Sequence, residues 1–215
     1  MSSSTRILIF GGTFDPPHRA HRILPPQVAR TLSCEEILYI PAAISPLKLD
    51  THPTPAEHRL AMLRLAIESI PNATISTIEL ERDGPSYTVD TLRSLKEIYA
   101  PETEFRLLIG ADQAASFHRW REWQTIVTLA RPAIMLRPPW DSAEALEREW
   151  IRHHDGDRVQ WFGQCIVPLP PVPVSSTDVR ERRQRDEPLD DLLDPPVIDY
   201  ILRHGLYRDD VPPGP

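Results

Sequence analysis

The chain has few cysteines, no long apolar run and no excess of positive charge, and each shortage excludes a class of protein. Its two cysteines, Cys34 and Cys165, are too few for a disulfide framework or a four-ligand zinc site. No apolar run approaches the roughly 18 residues that a membrane span requires. The N-terminal segment has too short an apolar run and no small-residue cleavage site, so a signal peptide is not expected. These absences together predict a cytoplasmic protein without a membrane partner.

Charge and length restrict the chain further. The 24 Lys and Arg residues stand against 31 Asp and Glu residues, a formal net charge of −7, which argues against a general nucleic-acid binder. A length of 215 residues suits a single domain. We expect one domain over residues 1–207, with a helical C-terminal part at about 175–207 and a tail at 208–215. The acidic stretch Asp186–Asp194 is expected to be a solvated linker.

Short β-rich runs alternate with helical patterns, which is typical of βαβ units on a parallel sheet. The predicted strands are 6–10, 37–40, 74–80, 105–109, 133–136 and 159–167. Four helices are predicted at 88–99, 120–130, 142–153 and 179–185. A helix at 18–31 is expected to kink or restart at Pro25-Pro26. Two more are predicted from their start signals, one opened by a capping box at Thr54–Glu57 and one that Asp194 caps before Pro195.

The segment Gly11–His21, GGTFDPPHRAH, lies at the first strand-to-helix turn. Parallel sheets bind ligands at such a position, and the free N–H groups of a helix start favour an anion. The segment lacks both the GxGxxG dinucleotide fingerprint and the GxxxxGK[ST] loop. Three residues apart, His18 and His21 project from one helix face. Two ordinary exposed histidines are the alternative, and a zinc pair lacks a third ligand with recognisable spacing.

This segment resembles the HxGH signature of a nucleotidyltransferase superfamily, and Ser175–Arg180, SSTDVR, resembles its SxTxxR signature. Four further segments are similar to bacterial nicotinate-nucleotide adenylyltransferases: GPSYTVDTL at Gly84–Leu92, GADQ at Gly110–Gln113, WREW at Trp120–Trp123 and YILRHGLY at Tyr200–Tyr207. The resemblance runs from Ile7 to Tyr207. It implies a Rossmann-like open parallel sheet with helices on both faces and a small C-terminal helical segment.

The resemblance also implies a reaction in which ATP and nicotinate mononucleotide give deamido-NAD and pyrophosphate, as a step of NAD biosynthesis. The catalytic residues would be His18, His21, Lys48 and Arg180. The residues that bind the ATP phosphates would be Gly11, Gly12, Thr13, Phe14, Ser176 and Thr177. The residues that bind nicotinate mononucleotide would be Tyr87, Thr88, Asp112 and Trp120. Mg²⁺ would arrive with ATP and need no protein side chain as a dedicated ligand.

One departure from the signature is Ala20, which stands where the family has glycine between the two histidines. Taken singly, several of the candidates have a plain structural alternative. Lys48 could be a solvated charge, Ser176 and Thr177 could be helix caps, and Trp120 could be an aromatic core residue. Two other functions stay open: a related adenylyltransferase with another phosphate acceptor such as phosphopantetheine, and a nucleotide-binding sensor without turnover.

Overall fold

The computed structural model describes residues 5–44 and 53–208. Its strands are β1 (Arg6–Gly12), β2 (Glu36–Pro41), β3 (Ala73–Ile75), β4 (Glu104–Gly110), β5 (Ala130–Met135) and β6 (Ile166–Val167). Its α-helices are α1 (Arg19–Thr31), α2 (Ala56–Ile67), α3 (Thr88–Ile98), α4 (Ala111–Ala115), α5 (Trp123–Leu129), α6 (Ala143–Trp150), α7 (Gly156–Gly163), α8 (Ser176–Gln184) and α9 (Pro195–Arg203). A 3₁₀ helix covers Phe117–Arg119.

All six strands are parallel and form one sheet in the order β3-β2-β1-β4-β5-β6. The order reverses between β1 and β4, and open α/β sheets bind ligands at the carboxyl ends of strands beside such a reversal. The predicted fold class is confirmed. Within the described part of the chain, no helix has the length and apolar character of a membrane span.

Side chains of the central strands alternate between two cores, because successive residues of a strand point to opposite faces of the sheet. Ile7 and Ile9 lie in a core formed with helices α3 to α7, called here the α3-side core. Leu8 and Phe10 lie in a core formed with α1, α2, α8 and α9, called here the α1-side core. The residues of β1 are thus covered on both faces, as a continuous apolar run predicts.

Two predicted strands differ from the structure. Residues 159–167 were expected as a strand, but α7 occupies most of them and β6 has only two residues. The side chain of Asp155 caps α7 by accepting from the N–H of Arg158 at 2.9 Å. Aspartate is a preferred residue at a helix start, and the strand prediction did not take it into account. The predicted strand 74–80 ends at Ile75, because the N–H groups of Leu80 and Glu81 both turn back to the carbonyl of Thr77.

Helix boundaries also differ in several places. The predicted capping box at Thr54 is wrong, since Pro55 is the N-cap residue and no side chain caps α2. Helix α5 begins at Trp123 rather than Trp120, because Glu122 takes the left-handed conformation with φ 51°. Helix α1 passes through Pro25 and Pro26 without a restart, and α8 begins at Ser176 rather than residue 179.

The acidic stretch Asp186–Asp194 is not a solvated linker. Its three leucines are buried in the α1-side core, namely Leu189, Leu192 and Leu193. The carboxylates of Asp191 and Asp194 form ion pairs with Arg182 and Arg22 at 2.7 and 2.8 Å. This stretch therefore attaches the C-terminal helices to the body of the protein.

Candidate active site

The loop between β1 and α1 forms the floor of the candidate site. Phe14 adopts a left-handed backbone with φ 51°, and its ring is buried. A Cβ atom on Gly12 would lie 3.2 Å from ring carbons of Phe14, so a larger residue at this position would crowd the ring. The ring of Phe14 therefore belongs to the core, and the part of this residue that can face a ligand is its backbone.

His18 and His21 lie together at the start of α1. His18 is the N-cap residue of the helix, and the two imidazole rings stack with their centroids 3.7 Å apart. The backbone N–H of His18 donates to Nδ1 of His21 at 3.0 Å. An accepting Nδ1 carries no proton, so the neutral ring of His21 keeps its proton on Nε2, from which it can donate.

Both histidines are held neutral. Burial, assisted by the nearby charge of Arg137, lowers the pKa of His18 to about 4, although the carboxylate of Asp178 acts in the opposite direction. Burial lowers the pKa of His21 well below its ordinary value, and the charges of His18 and Arg137 add to that effect. At neutral pH this pair can donate hydrogen bonds without adding positive charge.

A buried arginine fixes the loop against its neighbours. Arg59 of α2 is 2% exposed, and its guanidinium donates to the carbonyls of Thr13, Ala42 and Thr54 at 2.7, 2.9 and 2.8 Å. These three carbonyls lie on the β1–α1 loop, at the end of β2 and just before α2. Arg59 thus joins the β1–α1 loop to both sides of residues 45–52, which contain Lys48. Lys48 itself lies outside the described residues.

The start of α8 docks onto the same loop. Ser175 is its N-cap residue, and Asp178 completes a reciprocal capping box with it. Ser176 Oγ donates to the carbonyl of Pro16 at 2.8 Å, and Arg180 Nη1 donates to the carbonyl of Asp15 at 2.7 Å. Arg180 Nη2 also donates to Thr177 Oγ1 at 3.3 Å. The structure therefore brings Ser176, Thr177 and Arg180 to the loop that carries the two histidines.

Tyr87 and Thr88 lie at the start of α3, beside the loop that follows β2. The N–H of Ala43 donates to Ser86 Oγ at 3.1 Å, and the N–H of Ser86 donates to the carbonyl of Ile44 at 2.9 Å. Tyr87 is the N-cap residue, and Thr88 is the first residue of the helix. The early N–H groups of a helix lack carbonyl partners within it, so this end can hold an anion.

The segment that contains Trp120 contacts the start of α3. The guanidinium of Arg121 lies 4.8 Å from the ring centroid of Tyr87, and Arg121 pairs with Asp90 at 3.6 Å. Trp120 packs on Phe117 with centroids 5.0 Å apart, and no described residue accepts from its buried Nε1. Trp123 packs among Phe117 and Phe162.

Asp112 follows β4 and forms an ion pair with Arg137, which follows β5, at 2.7 Å. A Cβ atom on Gly110 would lie 2.6 Å from Asp112 Oδ1 and 3.2 Å from Arg137 Nε. Glycine at this position therefore leaves room for the ion pair at the carboxyl edge of the sheet. Because its charge reaches both His18 and His21, Arg137 belongs to the same cluster of groups.

Two residues of this site were missed by reasoning from the sequence. Arg59 interrupts an otherwise apolar helix face, with Met62, Leu63 and Ala66 buried beside it, and this interruption was the available signal. Arg137 immediately follows a strand, at the edge where ligands bind, but the resemblance weakens just after it. Ala20, where the signature has glycine, lies in the first turn of α1 and is half-buried.

The cytidylyltransferase-like family matches residues 9–182 of the chain. A probable nicotinate-nucleotide adenylyltransferase of Chromobacterium violaceum is 37% identical over 212 residues, which cover 95% of this chain and 100% of that protein. A protein of the same description from Roseiflexus sp. is 38% identical and covers 96% of this chain and 100% of its own length. The chain belongs to the nicotinate-nucleotide adenylyltransferase family.

A solved structure gives the same fold for the nicotinate-nucleotide adenylyltransferase family. The Plasmodium falciparum nicotinic acid mononucleotide adenylyltransferase, complexed with NaAD, matches with a TM-score of 0.73 at 22% identity. The match covers 94% of this chain and 97% of that one. Both family signatures of the present chain, with His18, His21 and Arg180, fall inside the span that the cytidylyltransferase-like family matches.

Proposed function

We propose that this chain transfers the adenylyl group of ATP to nicotinate mononucleotide, forming deamido-NAD and releasing pyrophosphate. The observation that carries the proposal is the cluster at the carboxyl end of β1. There, two neutral histidines, a fixed arginine and the N-terminal ends of α1 and α8 meet on one loop. Membership of the nicotinate-nucleotide adenylyltransferase family supplies the choice of substrates.

The chemistry fits a site without a nucleophilic side chain. A phosphate oxygen of nicotinate mononucleotide attacks the α-phosphorus of ATP, and the bond from that phosphorus to the bridging oxygen of the β-phosphate breaks. Pyrophosphate leaves with that oxygen. Since the attacking phosphate is already an anion at neutral pH, the protein needs only to position the reactants and stabilise charge.

Each residue has a part in that scheme. The backbone of Gly11, Gly12, Thr13 and Phe14 lines the phosphates, and His18 and His21 donate to the triphosphate. Thr177 and Arg180 bind the β- and γ-phosphates, with Ser176 holding their helix to the loop. Lys48 neutralises substrate phosphates from the following loop. The histidines need only donate hydrogen bonds in this scheme, because Arg180 and Lys48 supply the positive charge.

The acceptor site combines a helix start and an aromatic ring. The N–H groups at Thr88 face the carboxylate of nicotinate, Trp120 stacks on the pyridine ring, and Asp112 accepts from a ribose hydroxyl. Donor groups cannot pair with the NH₂ of nicotinamide mononucleotide, and each such mismatch costs on the order of 1–3 kcal/mol. The site should therefore prefer the acid to the amide.

Magnesium belongs to this proposal as part of the ATP complex. Among residues 5–44 and 53–208, no group of three or more His, Cys, Asp or Glu side chains could hold a metal ion. No step above depends on a metal held by the protein. The ATP phosphates themselves offer the hard oxygen ligands that Mg²⁺ prefers.

The test is pyrophosphate release by the purified protein with ATP, Mg²⁺ and one of three acceptors: nicotinate mononucleotide, nicotinamide mononucleotide or phosphopantetheine. We expect release with the first acceptor, about 5- to 150-fold less with the second from one such mismatch, and none with the third. His18→Ala should abolish most of the release, whereas Arg152→Ala, at an exposed position, should leave it unchanged. Release with phosphopantetheine alone would replace the proposed acceptor, and ATP binding without release would favour a sensor.

A further inference from the structure

The C-terminal segment returns to the β1–α1 loop through one tyrosine. After α9 ends, the N–H of Leu206 donates to the carbonyl of Ile201 at 3.0 Å, and Tyr207 takes a left-handed backbone with φ 62°. The hydroxyl of Tyr207 then donates to Oδ1 of Asp15 at 2.7 Å, across 192 positions of sequence. A bulky residue rarely adopts this backbone unless its surroundings hold it there.

Asp15 joins four segments of the chain at the base of the site. Its Oδ1 accepts from Tyr207, its Oδ2 accepts from the N–H of Thr54 at 3.1 Å, and its carbonyl accepts from Arg180 at 2.7 Å. His18 follows Asp15 by three residues. A shift of the Asp15 backbone would therefore move the partner carbonyl of Arg180 together with the loop before His18.

Tyr207 is suited to hold that aspartate. Its ring packs against the α1-side core, which also contains Phe14 of the β1–α1 loop. Burial raises the pKa of Tyr207, and the neighbouring carboxylate of Asp15 raises the pKa further. The phenol consequently stays protonated and remains a donor at neutral pH.

We propose that Tyr207 is a positioning residue for the adenylyl transfer proposed above: its O–H holds Asp15 so that Arg180 and His18 meet the triphosphate together. Tyr207 touches neither substrate nor reacting atoms in this scheme. Its effect reaches the reaction through Asp15, and it acts on the ATP side of the site. The acceptor side, formed by Tyr87, Thr88 and Trp120, has its own separate contacts.

The test compares Tyr207→Phe with Tyr200→Phe. Tyr200 lies on α9, and its hydroxyl forms a 2.9 Å hydrogen bond with His58 Nδ1, so the control removes the same atom away from Asp15. In Tyr207→Phe, kcat should fall about tenfold or more and the KM for ATP should rise, since a misplacement of about 1 Å can cost about a hundredfold. The KM for nicotinate mononucleotide should not change. Tyr200→Phe should keep the wild-type constants, with both unfolding temperatures measured alongside.

A double-mutant cycle with Asp15→Ala tests the route of the effect. If Tyr207 acts through Asp15, the loss in the double variant should be no larger than in Asp15→Ala alone. A Tyr207→Phe variant with wild-type kcat, equal losses in both tyrosine variants, or additive losses in the cycle would each overturn the assignment. Should the wild-type protein release no pyrophosphate, the proposed function fails. In that case ATP titration decides, and Tyr207→Phe must bind ATP more weakly than Tyr200→Phe for the positioning role to stand.

Discussion

The stacked rings of His18 and His21 place two basic groups 3.7 Å apart in a site that also contains Arg137. Two imidazolium ions at that spacing would repel each other, and burial penalises each charge as well. The pair therefore resembles a set of fixed dipoles more than a set of fixed charges. Such donors, aimed before the substrate arrives, need little reorganisation when charge develops on the phosphates.

The depressed pKa of His18 makes the stability of the nucleotide-free protein depend on pH. An unfolded histidine has a pKa near 6.5, whereas the pKa of His18 is about 4 in the folded protein. Below pH 6.5 the unfolded chain therefore takes up a proton that the folded protein does not, and stability is lost as pH falls toward 4. This histidine alone should remove about 2 kcal/mol of unfolding free energy between about pH 7 and pH 5.

Urea unfolding of His18→Gln checks this prediction, because glutamine cannot titrate there. The free energy of unfolding of the variant should decline less steeply over that pH range than that of the wild-type protein. His204→Gln changes an exposed histidine of the same chain and should keep the wild-type slope. Equal slopes in all three proteins would contradict the neutral state assigned to His18.

At the scale of elements, α2 contributes one residue that holds the loops of the site together. The guanidinium of Arg59 donates hydrogen bonds to three backbone carbonyls. Burial makes its positive charge costly and lowers the pKa of the guanidinium. Removing the guanidinium would leave those carbonyls without their donor in a place that water reaches poorly. A buried polar group that loses its partner is expensive, so loop and helix depend on each other here.

We therefore expect Arg59→Met to lower the free energy of unfolding by about 3 kcal/mol and to reduce pyrophosphate release as well. Chemical denaturation followed by circular dichroism measures the first effect. Arg64→Met, an exposed position on the same helix, should change stability by less than about 0.5 kcal/mol. If both variants were equally stable, Arg59 would not be the anchor that its hydrogen bonds indicate.

The sequence predicted those elements whose signals are local. The apolar run of β1 followed by Gly11-Gly12 predicted the first strand and its turn, and the spacing of His18 and His21 predicted that they share one helix face. Non-local contacts were beyond such local reasoning: nothing near Asp15 in the sequence points to Tyr207, and only the family resemblance placed Arg180 beside the histidines. Where a local signal was ambiguous, as in residues 159–167, an apolar run suited a strand and a helix equally well, and the capping Asp155 favoured the helix.

On the scale of the whole molecule, the two sides of the sheet carry different parts of the chain. The C-terminal residues Val179, Leu193, Val197 and Ile201 are buried in the α1-side core together with Leu8 and Phe10 of β1. Backbone contact adds to this attachment, since the N–H of Arg19 donates to the carbonyl of Leu192 at 3.0 Å. If residues 1–207 form one domain, as expected from the sequence, the C-terminal helices α8 and α9 should unfold together with the rest of the chain.

The tryptophans allow that requirement to be tested, because all five lie in or against the α3-side core, on the opposite face of the sheet from Leu193. Leu193→Ala removes a fully buried side chain and should lower the unfolding free energy by about 3 kcal/mol. If the chain is one cooperative unit, tryptophan fluorescence and far-ultraviolet circular dichroism will shift to the same lower urea midpoint. Leu202→Ala, at a position that is 52% exposed, should leave both midpoints in place. A fluorescence midpoint that stays at the wild-type value while circular dichroism shows an earlier transition would instead make the C-terminal helices a separately unfolding part. In that case the site's Arg180 would be held by a unit that can detach without disturbing the sheet.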